Sequence, residues 1–206
     1  METSFILTIL ILLMSVVIHE VSHGYSAYLM GDPTAKNAGR LTLNPLAHLD
    51  FMGSFIVPMM AYFSFGFAFG WAKPVPYNPY NLSNQKWGDA IVAIAGPASN
   101  LIIALIFGLI IRFNSLIGIT NIVFLEAAQL VVLINLVLMV FNLIPIPPLD
   151  GSKILFTLIP YRYIEVRQAL ERYSLFLLLF VIFFLWKLII PIVFALFSLV
   201  TGIGVQ

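Results

Sequence analysis

The sequence predicts an all-α polytopic membrane protein, and three observations carry that prediction. Of its 206 residues, 61% are hydrophobic and only 9% are charged, whereas a soluble domain holds about a quarter charged residues. The apolar residues gather into runs at 4–18, 91–111, 122–144, 174–186 and 188–200, the pattern of several membrane-spanning helices. Short polar stretches separate the runs, so the chain cannot cover itself with a polar surface. The expected organisation is one membrane-embedded domain over residues 1–206. Its core helices fall at about 4–30, 86–112 and 120–146, with one or two C-terminal spans at about 174–203. Short membrane-associated β-strands and a re-entrant or interfacial segment at 51–70 complete it.

The first helix should start near Ser4 and stop at Gly31-Asp32-Pro33, where glycine and proline end helices and open turns. Met1-Glu2-Thr3-Ser4 has no positive charge and the run that follows has no small-residue cleavage site, so it reads as a retained helix and not a signal peptide. Residues 32–50 form the longest polar interval. Within it Gly39-Arg40-Leu41-Thr42-Leu43 alternates as a short strand does. A second extended piece is expected at Trp71–Pro76, because Pro74 and Pro76 exclude a helix interior. Between them, residues 51–70 are apolar but hold Pro58, Gly53, Gly66 and Gly70, which favours a re-entrant or surface-lying segment over a straight span.

A second long helix is expected from Lys86-Trp87 to Arg112, and a third from Thr120 until Pro145-Ile146-Pro147-Pro148 breaks it. Residues 152–173 form a polar, amphipathic connection. Lys187 and Pro191 interrupt the remaining apolar stretch, which fits one kinked span or two shorter segments. If 51–70 does not cross, Lys36, Arg40, Lys73, Lys86, Lys153, Arg162, Arg167 and Arg172 all fall on one side of the membrane, leaving Arg112 and Lys187 elsewhere. Lysine and arginine concentrate in cytoplasmic loops, so the first helix runs inward from an extracytoplasmic start.

A net charge of +1 with no basic tract excludes a nucleic-acid partner. Cysteine is absent, which removes disulfides, thiolate ligands and a cysteine nucleophile, so any metal must be held by nitrogen and oxygen. His19 and His23 stand four residues apart on a helix and project from the same face, able to grip one metal ion. Glu20 stands beside them, where a carboxylate can take a proton from an attacking water while a metal polarises a scissile carbonyl. Ionisable residues inside a membrane are costly, at about 2.5–3.5 kcal/mol for a charged side chain at the centre, and rare without a partner. The plain alternative is a satisfied polar patch between helices. A third ligand is needed for a zinc site. The metalloprotease pattern with a later glycine and histidine fails, since Ser26 and Leu29 occupy those positions, and no glutamate occurs between Glu20 and Glu126. His48, Asp50 and Asp150 remain.

Together, His19-Glu20-Val21-Ser22-His23 and Asn142-Leu143-Ile144-Pro145-Ile146-Pro147-Pro148-Leu149-Asp150-Gly151 closely resemble the site-2 protease family. Gly96-Pro97-Ala98-Ser99-Asn100 is similar to that family's motif in the intervening helix, and Gly70-Trp71-Ala72-Lys73-Pro74 to its membrane-associated strand. The resemblance spans most of the chain and implies a three-helix catalytic core. It implies one zinc ion held by His19, His23 and Asp150, with Glu20 as catalytic base. It further implies hydrolysis of peptide bonds within or near transmembrane segments of membrane proteins. The chain looks like a minimal form, without PDZ or nucleotide-sensing modules, which suggests a prokaryotic cytoplasmic membrane with the active site toward the cytoplasm.

On a helix rising about 1.5 Å per residue, His19 lies roughly 22 Å past Ser4 in a core about 30 Å thick, so the metal is expected in the inner third with a polar channel reaching it. A substrate helix must unwind before cleavage, and an edge at Gly39–Leu43 or Trp71–Pro76 could hold the unwound chain by strand addition. Asn100 and Asn142, amides in apolar helices, are candidates for substrate or oxyanion contacts, or for plain interhelical hydrogen bonds. His48 reads as a loop or capping residue before a ligand, and Arg162, Arg167 and Arg172 as anchors at the membrane surface. Two other classes compete: a metal transporter or channel, and a non-catalytic metal-stabilised scaffold. No internal repeat supports the first, and Glu20 beside the histidines argues against the second.

Overall fold

The computed structural model describes residues 2–50 and 73–204. Four of its helices are long and apolar enough to cross a membrane: α1 (Glu2–Leu29), α3 (Gly88–Arg112), α4 (Ile122–Asn142) and α7 (Ser174–Thr201). The short α2 (Thr34–Asn37) follows α1. Two further helices, α5 (Asp150–Leu158) and α6 (Ile164–Arg172), fill the amphipathic connection. The C-terminal apolar stretch is one continuous helix. It keeps its course through a π-helical turn at Val181–Leu185 and past Pro191, which has no N–H to offer the preceding turn. Helix α4 ends at Asn142, before the prolines, and the segment 143–149 turns the chain into α5.

Helix α3 is the hub, touching α1, α4, α5 and α7. Its buried face repeats every four residues: Gly88, Val92, Gly96, Asn100, Ala104 and Gly108. Lipid tails are as apolar as leucine, so helices in a membrane associate through close backbone approach, which small residues allow. A β-carbon on Gly108 would collide with Val200 of α7. Ala104, Ile111, Ala128, Val132, Leu136, Met139, Ile189, Val193 and Phe197 form the core between α3, α4 and α7. Outward-facing Phe5, Ile102, Ile106, Phe176 and Leu188 are exposed, as lipid contact requires.

The expected strands do not form among the described residues. Gly39, at φ +66°, turns the chain out of α2, and residues 45–48 wind into a short 3-10 helix capped by Asn44. In the described part of the second segment, 73–76, Pro74 and Pro76 lack N–H groups, and the other two go to unrelated acceptors: Lys73 N–H to His48 O at 2.9 Å and Val75 N–H to Glu20 Oε2 at 2.9 Å. A strand ladder needs a continuous row of donors on one edge, and here it is broken. The Arg40 guanidinium clamps the segment instead, donating to Lys73 O at 2.7 Å. The expected re-entrant piece at 51–70, and Gly70-Trp71-Ala72 of the strand motif, lie outside the described residues.

Asp32 fixes the end of α1. Fully buried, it accepts hydrogen bonds from Thr34 N–H (3.2 Å), Thr34 Oγ1 (2.6 Å), Asn78 N–H (2.7 Å) and Asn81 Nδ2 (2.8 Å). Burial alone would push its carboxyl up, but these donors outweigh it and hold the group below the usual carboxylate range. Its stabilisation is therefore complete above the unfolded value of about pH 4 and is lost as pH falls through the lower folded value. Asp32→Asn should lower stability at pH 7 by about 2 kcal/mol. In thermal melts in detergent it should also flatten the wild type's acid-side loss. Identical acid slopes for the two proteins would show that Asp32 does not carry this linkage.

Candidate metal centre

Helices α1 and α3 pack antiparallel, and the site forms on their shared face. His19 and His23 are buried on α1 and Asp150 is buried in the first turn of α5. Their three ligand atoms form a tight triangle. His19 Nε2 lies 3.1 Å from Asp150 Oδ2, His23 Nε2 lies 3.0 Å from the same oxygen, and the two nitrogens are 3.0 Å apart. Among the described residues these three make the group of metal-ligating side chains close enough to share an ion. Glu20 is outside that group, and neither His48 nor Asp50 joins it.

Two ligands of a tetrahedral zinc ion, each at about 2.0–2.1 Å, stand about 3.3 Å apart, so the triangle needs to open by only about 0.3 Å. Two imidazoles and one carboxylate with a position left over are also the donor set of catalytic zinc. The proton placement agrees at His23: Nδ1 is 2.7 Å from Val92 O, a group that can only accept, so Nδ1 carries a hydrogen and the neutral ring has its lone pair at Nε2.

Helix α3 supplies the room. A β-carbon on Gly96 would lie 2.6 Å from His19 Nε2 and closer still to His23 Nε2. Gly151 does the same for α5, because a β-carbon there would meet the carbonyl oxygens of Leu143 and Ile144. Asp150 turns its second oxygen, Oδ1, to Lys153 Nζ at 3.7 Å. Lys153 lies over the Tyr77 ring at 5.2 Å and in the wall of a polar cavity of about 210 Å³, with Lys86, Asp89 and Arg167. Burial and then Asp89 push the Tyr77 hydroxyl up, so it stays protonated and donates to Asp89 Oδ1 at 3.4 Å.

The remaining sequence candidates take separate places. Asn100 is fully buried with its amide against His19 Nδ1. Asn142 donates to Leu138 O of its own helix at 2.9 Å. His48 is buried as a loop staple, its Nε2 donating to Thr42 O at 2.8 Å. Four participants escaped the sequence reading: the Val92 carbonyl, the space at Gly96, Lys153, and the buried pair Asn135–Ser15, in which Asn135 Nδ2 donates at 3.0 Å one turn of α1 before His19. Spacing could have flagged Lys153, three residues past Asp150 on a helix.

Residues 114–185 match the model of peptidase family M50, which takes in Asp150 but not the histidines. Over 180 residues the chain is 37% identical to "Putative zinc metalloprotease YwhC" of Bacillus subtilis, covering 84% of this chain and 79% of that one. The chain belongs to peptidase family M50, the site-2 protease family. Two further relatives bear the name "Putative zinc metalloprotease Rip2". That of Mycolicibacterium smegmatis is 34% identical over 81% of this chain, and that of Mycobacterium tuberculosis H37Rv 28% identical over 86%. This chain spans 61% and 66% of their respective lengths. No solved structure matches.

If Gly96 is the gap that admits the two imidazoles, Gly96→Ala should weaken zinc binding about 100-fold or more, read by metal analysis after dialysis against a chelator series. Unchanged affinity would mean that α1 and α3 can separate at the site without cost.

Proposed function

We propose that this chain is an intramembrane zinc metalloendopeptidase that hydrolyses peptide bonds within or near transmembrane segments of other membrane proteins. His19, His23 and Asp150 hold one zinc ion and Glu20 is the base. The observation that carries the proposal is the buried triangle of ligand atoms inside an apolar bundle, with a carboxylate one residue away on α1 that is not part of it. The family and the names of its zinc metalloprotease relatives support the same chemistry. Bound zinc would supply Lewis acidity, polarising the scissile carbonyl and acidifying the attacking water.

The chain's own residues do the rest. Glu20 Oε2 accepts the Val75 N–H at 2.9 Å, which fixes the carboxylate and leaves Oε1 for a water. Glu20 takes a proton from that water as its oxygen attacks the carbonyl carbon, and returns it to the amide nitrogen as the C–N bond breaks. Asn142, at the end of α4, keeps a second amide N–H for a substrate carbonyl or developing oxyanion. The polar cavity beside Lys153 supports water entry from the side that carries most of the basic residues. By the positive-inside rule that side is the cytoplasm, and the membrane is a prokaryotic cytoplasmic membrane. A scaffold would need the ligands but not Glu20, and a transporter would need a path through the triangle to the far side.

The test is cleavage of a panel of single-span membrane peptides by purified protein at matched zinc content. Glu20→Gln should keep its zinc and lose cleavage by about 10²–10⁴-fold. Equal cleavage by both proteins would remove Glu20 as base, and zinc flux into vesicles without any cleavage would favour transport. Val75→Pro removes the N–H that holds Glu20, between two residues that are already proline, and keeps an apolar side chain at the buried position. It should lower kcat about 10-fold or more with KM unchanged, and unaltered kcat would show that the contact is incidental.

A further inference from the structure

We propose that Asn100 is a positioning residue for His19, its amide oxygen accepting a hydrogen bond from His19 Nδ1 so that the ring presents a bare Nε2 to the metal. This rests on the zinc reading above and concerns how the ligand is held, not what the protein cleaves. The two histidines differ in what grips their far nitrogen. His23 Nδ1 faces the Val92 carbonyl at 2.7 Å, an acceptor that the backbone fixes. His19 Nδ1 faces a side chain, the Asn100 amide, with Nδ2 at 3.1 Å.

In that orientation the amide donates and Nδ1 must be the acceptor. The imidazole hydrogen then sits on His19 Nε2, pointing at His23 Nε2 and Asp150 Oδ2, where a metal needs a lone pair. At the other end of the same amide, Asn100 Oδ1 is buried with no hydrogen-bond partner. A half-turn about the Cβ–Cγ bond exchanges two ends of nearly equal size and turns the oxygen to His19 Nδ1. The oxygen gains a donor, and His19 becomes the Nδ1–H tautomer with its lone pair in the triangle. A neutral acceptor behind a ligating imidazole also fixes the ring's rotation and raises its basicity.

The placement on α3 favours this role. Val92, Gly96 and Asn100 follow one another at single turns on the buried face: a carbonyl for His23, a gap for both Nε2 atoms, and an amide for His19. Asn100 is the polar side chain in a stripe otherwise made of Gly88, Val92, Gly96, Ala104 and Gly108. Asn135, the other fully buried amide, already donates to Ser15 Oγ and Val131 O and so has work that needs no metal.

The experiment is zinc affinity of the full chain in detergent, by competition with a chelator, for wild type, Asn100→Leu and Asn100→Asp. Leucine keeps the volume without a hydrogen bond, and aspartate can only accept. Asn100→Leu should bind zinc about 10–100-fold more weakly, with the melting temperature of the metal-free protein unchanged, while Asn100→Asp binds at least as tightly as wild type. Affinity of Asn100→Leu within about 3-fold of wild type would overturn the proposal, being well below the usual loss for such a partner. So would a loss in Asn100→Asp, which is the result if the amide donates. Should Asn100→Leu not fold, Asn100→Asp decides alone. Wild type that binds zinc but cleaves nothing would remove the protease reading and leave this assignment standing.

Discussion

Three electron-rich atoms, two imidazole nitrogens and a carboxylate oxygen, lie within 3.0–3.1 Å of one another and are sealed in an apolar bundle. Lone pairs held that close in a medium of low dielectric repel strongly unless positive charge lies between them. Much of the architecture can be understood as the means of keeping them there. Hydrophobic burial cannot do it, since lipid solvates the helices' outer faces as well as neighbouring helices would. What remains is close packing and internal hydrogen bonding. The small-residue face of α3 supplies the first, and the contacts at Val92 and Asn100 supply the second.

The same demand explains why Asp150 comes from a helix that does not span. Within α4 the buried polar contact with α1 falls one turn before His19, where Asn135 meets Ser15. Ending α4 at Asn142 and turning through 143–149 brings the start of a new helix, Asp150, to the two histidines instead. At the first turn of α5 the carboxylate also faces the positive end of the helix dipole. Gly151 is part of that arrangement, because α5 can begin against the Leu143 and Ile144 carbonyls only if the second residue has no side chain.

The parts legible in the sequence were those with a period. Apolar runs announced the long helices, and the four-residue spacing of His19 and His23 put two ligands on one face. Asp150 was legible only through family resemblance, because its approach to the histidines depends on a 131-residue separation that local pattern does not encode. The strands failed because alternation counts side chains, whereas a strand is made of N–H partners, and Pro74, Pro76 and the turn at Gly39 left too few. Asn100 and Asn142 looked alike as amides in apolar helices. Only packing separates them, one pressed against His19 and the other bonded within its own helix. The Val92 carbonyl has no residue-type signature at all.

Glu20 sits one residue past His19, and about 100° of helical rotation turns it away from the ligand face. The ligand triangle and the Glu20 carboxylate are therefore supported by different parts of the chain: the triangle by α3 and α5, the carboxylate by the irregular segment at 73–76. An irregular segment would ordinarily be a poor place from which to fix a carboxylate. Here Pro74 and Pro76 restrict the backbone on both sides of Val75, and Arg40 clamps the Lys73 carbonyl, which limits the positions open to the Val75 N–H. Val75 itself is seated by Gly24, where a β-carbon would come within 2.6 Å of Val75 Cγ1. The residue after the second histidine thus bears on the Glu20 carboxylate through Val75. Filling that space would displace Val75, and with it the hydrogen bond that orients the carboxylate, while leaving the triangle of ligand atoms intact.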